Sequence, residues 1–282
     1  MSNVLTLGIS TCPNDTFIFD AWVNGRIKGA PFVNCSLQDI SALNRAAMQA
    51  IPDVLKVSFF AYGFIRENYR LLNAGGALGR GCGPILVSRS GDVDLDSADI
   101  CVALPGELTT ANLLFSLYRP EIKNKIYMRF DQIMPAVADK TVDAGVVIHE
   151  GRFTFENYGL ILLQDLGQWW EQKTGCPLPL GAIVARKSLG EDMIKLIEAT
   201  IRKSLKLALS EPDIPLPFMR KHAGEMDDTV LRSHVDLYVN DFSFDFKEEG
   251  WKAIDLLLKM AEDRAFFKKG ATLSNGSVAE VI

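Results

Sequence analysis

His149 is the residue of this chain best placed to move a proton. It follows Asp143-Ala144-Gly145-Val146-Val147-Ile148, a run that reads as a buried strand, so it stands at the carboxyl end of that strand. An imidazole in that position serves as a general base near neutral pH, or as a neutral group that orients a ligand. A satisfied core histidine is the plainer alternative. Glu150 and Arg152 follow closely, and strand alternation puts Glu150 on the face opposite His149, which weakens its claim to be the orienting carboxylate. The other two histidines, His222 and His234, fall in helix-period segments late in the chain and read as surface or packing residues.

Three strand-to-helix junctions supply the means of binding. Residues 8–15 (GISTCPND) join the first strand to a helix and carry Asn14 and Asp15. Lys56, Val57 and Ser58 end a second strand where another helix begins, and residues 105–111 (PGELTTA) open a third helix with Thr110 and Ala111. Free N–H groups and hydroxyls at helix N-termini attract anions. Each such end contributes only about 0.3–1 kcal/mol, so several must converge for useful affinity. Taken singly, each junction is explained by ordinary N-capping, because Ser, Thr, Asn and Asp are the preferred caps. Three junctions on the carboxyl edge of the strands, where ligands bind in α/β sheets, point to a shared site for a small anionic molecule.

Other chemistries find little support. The glycine-dense stretch 75–84 (GGALGRGCGP) runs into a strand instead of a helix, so it is no dinucleotide-binding turn. There is no P-loop lysine motif and no G-x-S-x-G elbow. Cys12, Cys35, Cys82, Cys101 and Cys176 are odd in number and scattered, with no C-x-x-C pair and no histidine at ligand spacing. They read as reduced, mostly buried thiols, and nothing near Cys12 would lower its pKa enough to make it a nucleophile. No cofactor and no metal are expected.

Positioning these residues calls for an α/β chain of alternating short apolar runs and helix-period segments, the signature of a largely parallel sheet. Strands are expected at 4–9, 33–37, 54–57, 84–88, 100–104, 125–130, 144–148, 160–164 and 181–186. Helices are expected at 15–24, 43–50, 58–67, 109–118 and 131–139, with Pro135 capping or kinking the last. Beyond residue 186 the chain turns helical, at 190–210, 227–239 and 247–262, and the tail from Gly270 reads as loosely attached. The stretches 75–88 and 178–186 look like two crossings between lobes. They imply a larger, discontinuous lobe of residues 1–85 and 186–282 and a smaller lobe of 86–185, with a ligand cleft between them that opens and closes about a hinge. One continuous sheet with two glycine-rich turns is the alternative.

Bulk properties limit the partners. The 282 residues include 30 Lys and Arg against 35 Asp and Glu, a net charge of −5, and no basic cluster of the kind nucleic acid requires. Local positive potential in a cleft still suits an anionic small molecule. The opening residues lack a basic region followed by a long apolar one, so a cytoplasmic location is expected, with no membrane association. Oligomeric state is left open, a homodimer being one option.

With these residues in hand, four segments resemble the 1,4-dihydroxy-6-naphthoate synthase family of menaquinone biosynthesis by the futalosine route. They are residues 10–19 (STCPNDTFIF), 75–84 (GGALGRGCGP), 147–153 (VIHEGRF) and 178–185 (LPLGAIVA), in the same order, and the likeness runs to about residue 244. Ser-Thr-Cys-Pro at 10–13 replaces a commoner Ser-Pro-Cys-Pro. The resemblance implies a two-lobed fold similar to the type II periplasmic-binding-protein fold. It further implies a carbon–carbon lyase acting on cyclic dehypoxanthinyl futalosine, in which His149 matches the proton acceptor. Lys56, Val57 and Ser58 match one substrate-binding segment of the family, and Thr110 with Ala111 another. A non-catalytic solute-binding protein of the same fold and the related chorismate dehydratase are the alternatives; the absence of a signal peptide counts against the first and the His149 motif against the second.

Overall fold

The computed structural model of the chain describes residues 4–91, 93–97, 99–223 and 227–267. The expectation for the tail from Gly270 lies outside the described residues. The remainder divides into two compact units, with the chain passing from one to the other after Gly79 and returning after Leu178.

The first unit opens with β1 (Leu5–Ser10), α1 (Pro13–Val23), β2 (Val33–Gln38), α2 (Ile40–Met48), β3 (Val54–Ser58), α3 (Phe59–Ile65), β4 (Tyr69–Leu71) and β5 (Ala77–Gly79). The second unit holds β6 (Ile85–Ser88), β7 (Val102–Leu104), α4 (Thr110–Tyr118), β8 (Lys125–Tyr127), α5 (Phe130–Ala138) and β9 (Ala144–Val147). Its chain goes on through α6 (Gly151–Thr154), β10 (Ile161–Asp165) and α7 (Leu166–Thr174). The first unit is then completed by β11 (Leu178–Arg186), α8 (Glu191–Ser210), α9 (Leu216–His222), α10 (Asp228–Tyr238), α11 (Asp241–Phe244) and α12 (Lys247–Asp263).

Each unit has its own sheet, and both sheets are mixed, which corrects the expectation of largely parallel strands. In the first unit the order is β2-β1-β3-β11-β4, with β5 also pairing β11. Here β1 runs parallel to β2 and β3, while β11 runs antiparallel to β3 and β4. In the second the order is β10-β6-β9-β7-β8, with β6 antiparallel to both of its neighbours and β7 parallel to both of its own. Apolar periodicity looks the same whichever way a buried strand runs, so strand direction was not in the pattern.

The elements form where burial rewards them. Along α8, Ile194, Ile197, Ile201, Leu205 and Ala208 are all buried, and this stripe packs with Leu7 and Ile9 of β1 and Phe19 and Trp22 of α1 into the first core. The second core joins Ile85 and Val87 of β6, Ala103 of β7, Ile133 and Val137 of α5, and Val147 of β9. Full burial of each Val, Leu, Ile or Phe side chain among them contributes about 1.5–3 kcal/mol. Pro135 sits inside α5 rather than at its start. The short β4, β5, α6, α7 and α11 were not anticipated.

Candidate functional site

The β1–α1 junction is built around a buried carboxylate. Pro13 opens α1 and cannot extend the β1 ladder, so the chain turns at Cys12, the residue that precedes the helix. This turn brings Asp15, wholly buried, back toward the end of β1. Its Oδ2 accepts from the Ser10 N–H at 3.2 Å and the Ser10 hydroxyl at 2.6 Å. Its Oδ1 accepts from the Asn14 amide at 2.9 Å and from Lys56 Nζ at 2.6 Å. Lys56 and Asp15 side chains are 5% and 0% exposed, so this is an ion pair shielded from water. A buried charge is tolerated only with a partner and satisfied hydrogen bonds, and the four donors around Asp15 meet that condition.

Lys56 owes its position to its neighbouring strand. Antiparallel β11 sets Ile183 opposite Lys56 and Gly181 opposite Ser58. A Cβ on Gly181 would lie 2.6 Å from Lys56 Cε, so the lysine stem occupies space that only glycine leaves open. Ser58, at the last position of β3 and just ahead of α3, does not cap α3 with its side chain. Asn44 of α2 instead accepts from the Ser58 N–H at 2.9 Å and donates to its hydroxyl at 3.0 Å. Val57 between them is fully buried.

Two members of this cluster escaped the reading of the sequence. Asn44 is a wholly buried polar residue in the run of Leu43 and Ala47 along α2, and a polar side chain at an apolar helix position was the available signal. His234 is 1% exposed, and its Nε2 lies 3.1 Å from Asn14 Oδ1. It is buried, which rules out the surface half of its reading, and besides packing on Tyr238 it joins the polar network. The bond joins residues 220 positions apart, so no local pattern announces it.

In the second unit Thr109, the residue before α4, accepts from the Asn112 N–H at 3.2 Å and donates to the Gly106 carbonyl at 2.7 Å. This leaves Thr110 and Ala111, both buried, as the first two residues of α4. The capping that the sequence assigned to the junction is thus performed by Thr109. Helix α4 packs against β9, the strand that leads to His149.

His149 follows β9 by two residues and has φ +58°, a left-handed backbone that histidine adopts far more readily than a bulky or β-branched residue. Such a conformation costs of order 1–3 kcal/mol and persists only where its surroundings over-determine it. The surroundings are visible. The Phe130 ring meets the imidazole edge-on, with centroids 5.0 Å apart and planes at 83°. The His149 carbonyl accepts from the Arg152 N–H at 3.3 Å. Arg152 is in turn fixed, donating to the Gly83 carbonyl at 2.8 Å and to Asp165 Oδ2 at 2.6 Å. Gly151 allows α6 to close on β9, because a Cβ there would lie 2.3 Å from Val147 Cγ1.

This turn also corrects the reading of Glu150. The strand has ended and the backbone has reversed at His149, so strand alternation does not assign Glu150 a face. Burial pushes the Glu150 carboxyl above its ordinary pKa and the Asp131 carboxylate adds to the rise, against a backbone hydrogen bond that lowers it. An acid so shifted holds a proton further toward neutral pH than a solvated glutamate does. Among the described residues no group of three or more His, Cys, Asp and Glu could hold a metal ion, and none of the five cysteines is joined in a disulfide.

Comparison with known proteins gives the family and the fold. Residues 5–263 match the sequence profile of a family described as menaquinone biosynthesis. The chain belongs to the menaquinone-biosynthesis family. Two relatives carry the name 1,4-dihydroxy-6-naphthoate synthase. The one from Thermus thermophilus is 46% identical over 260 residues, covering 92% of this chain and 94% of its own. The one from Streptomyces coelicolor is 44% identical over 265 residues, covering 92% and 93%. A solved protein of Archaeoglobus fulgidus superposes with a TM-score of 0.88 at 32% identity, over 93% of this chain and 98% of that one. The periplasmic aliphatic sulphonate binding protein of Escherichia coli superposes with a TM-score of 0.65 at 12% identity, over 98% and 95%, a likeness of fold alone. This member of the menaquinone-biosynthesis family therefore has the periplasmic-binding-protein fold that its sequence resembled, and it is an enzyme.

Proposed function

We infer that the chain is a lyase that forms 1,4-dihydroxy-6-naphthoate in menaquinone biosynthesis. The observation that carries this reading is the identity of 46% and 44% with two synthases of that name over nearly the whole of both chains. Cyclic dehypoxanthinyl futalosine is the proposed substrate. His149 is the proposed base: it takes a proton from a sugar hydroxyl, the resulting alkoxide collapses to a carbonyl, and the adjacent carbon–carbon bond breaks. The electron pair moves into the ring that becomes aromatic. One base positioned by a constrained backbone suffices for that step.

Lys56, Val57 and Ser58, supported by Asn14 and Asp15, are proposed to bind the substrate in the first unit, and Thr110 with Ala111 in the second. The Lys56 ammonium carries three donors, and Asp15 is the acceptor it meets among the described residues, so donors remain for a carboxylate. Five cysteines outside any disulfide suit a reducing compartment, and the cytoplasm is the proposed location. Incubating the purified protein with cyclic dehypoxanthinyl futalosine and following naphthoate absorbance tests the reading. Formation of 1,4-dihydroxy-6-naphthoate is expected, and no product from folded protein would overturn it.

A further inference from the structure

We propose that His234 is a positioning residue, acting through Asn14 and Asp15 to set the Lys56 ammonium for the carboxylate of bound naphthoate. The inference rests on the proposed naphthoate-forming reaction and adds to it a residue from the far end of the chain.

The argument follows the hydrogen bonds. Asp15 Oδ1 is shared by two donors, Lys56 Nζ at 2.6 Å and Asn14 Nδ2 at 2.9 Å. A carboxylate only accepts, so the Asn14 amide must turn its nitrogen to Asp15 and its oxygen away. That oxygen faces His234 Nε2 at 3.1 Å, which therefore donates, and the ring carries its proton on Nε2. Each group in the row is nearly or wholly buried: His234 1%, Asn14 6%, Asp15 0% and Lys56 4% exposed. Water is a poor substitute for a missing partner at these exposures, so without His234 the Asn14 oxygen becomes a buried acceptor with no donor. The Asn14 side chain escapes that state by shifting toward another donor, which draws its amide off Asp15 Oδ1 and loosens the acceptor that holds Lys56. The Tyr238 ring, one turn on along α10, packs on the imidazole at 4.5 Å between centroids and fixes its plane. Helix α10 packs against α1, so the late helices brace the first junction of the chain.

The test compares two ligands and three proteins by calorimetry under argon. The ligands are 1,4-dihydroxy-6-naphthoate and 1,4-dihydroxynaphthalene, the same ring without the carboxylate; the proteins are the unaltered chain, His234→Leu and His234→Gln. His234→Leu should weaken naphthoate binding about tenfold, leave the naphthalenediol unchanged, and be largely rescued by the Gln variant, whose amide still donates. Equal loss for both ligands, no loss for either, or no rescue overturns the proposal. A second measurement does not depend on variants that fold. Long-range proton–nitrogen correlation of the imidazoles, only three of which exist in the chain, should show His234 protonated on Nε2. A proton on Nδ1 alone overturns it. If the unaltered protein binds neither ligand, the naphthoate-forming reading falls, while the tautomer still decides whether His234 holds Asn14.

Discussion

Replacing Lys56 with methionine removes one charge from a buried pair and keeps the length of the stem. Asp15 would retain three donors, the Ser10 N–H, the Ser10 hydroxyl and the Asn14 amide, but no counter-charge. Breaking a buried pair from one side costs about 3–5 kcal/mol, and the remaining donors put this site near the lower figure. That is a large part of the ~5–15 kcal/mol that holds a folded domain together. The reciprocal change, Asp15→Asn, strands the ammonium instead. Urea unfolding followed by circular dichroism at pH 7 reads both losses. The double variant should be at least about 2 kcal/mol more stable than the sum of the single losses predicts. A Lys56→Met protein within about 1 kcal/mol of the parent, with an unchanged denaturant slope, would refute the buried-pair reasoning.

Four further outcomes are expected. His149→Asn keeps a side chain that tolerates the positive φ, so the variant should fold and bind product while losing about 10²–10⁴ in kcat; normal turnover removes His149 as the base. Gly181→Ala drives a Cβ to 2.6 Å from Lys56 Cε and should cost about 1–3 kcal/mol by thermal unfolding, with weaker naphthoate binding; a fully stable, tight-binding variant contradicts the geometry. Thr110→Val should chiefly raise KM, and an unchanged KM would mean that the carboxylate is held elsewhere. Burial, with Lys123 adding to it, pushes Lys125 down from 10.5 to about 8 in the folded protein. A folded value below the unfolded one means that stability rises as pH goes from about 8 to 10.5, and Lys125→Met should flatten that slope in urea titrations across the window.

Much of the fold was legible because the signals are local. The apolar stripe of α8 and the all-apolar strand β9 each follow from residues within one or two turns of one another, and each stands where periodicity put it; α1 starts at Pro13, two residues ahead of its expected start. The approximate ends of β1, β3 and α4 were legible for the same reason, and with them the junctions that carry Asp15, Ser58 and Thr110. Short elements such as β5 and α6 were not, because three or four residues give no period to read.

The sequence by itself determined which residues lie at strand ends and helix starts, and that His149 follows a buried strand. It also carried the family likeness, since motifs are strings of neighbours. Tertiary structure alone decided the rest. The antiparallel course of β11 sets Gly181 beside Lys56, and a strand buried on both faces reads alike in either direction. The left-handed turn at His149 depends on Phe130 and on the hold that Asp165 keeps on Arg152, none of which is local to β9. His234 joined the network because α10 packs on α1, and a hydrogen bond between residues 220 apart is set by where the helices meet, not by anything written beside either residue.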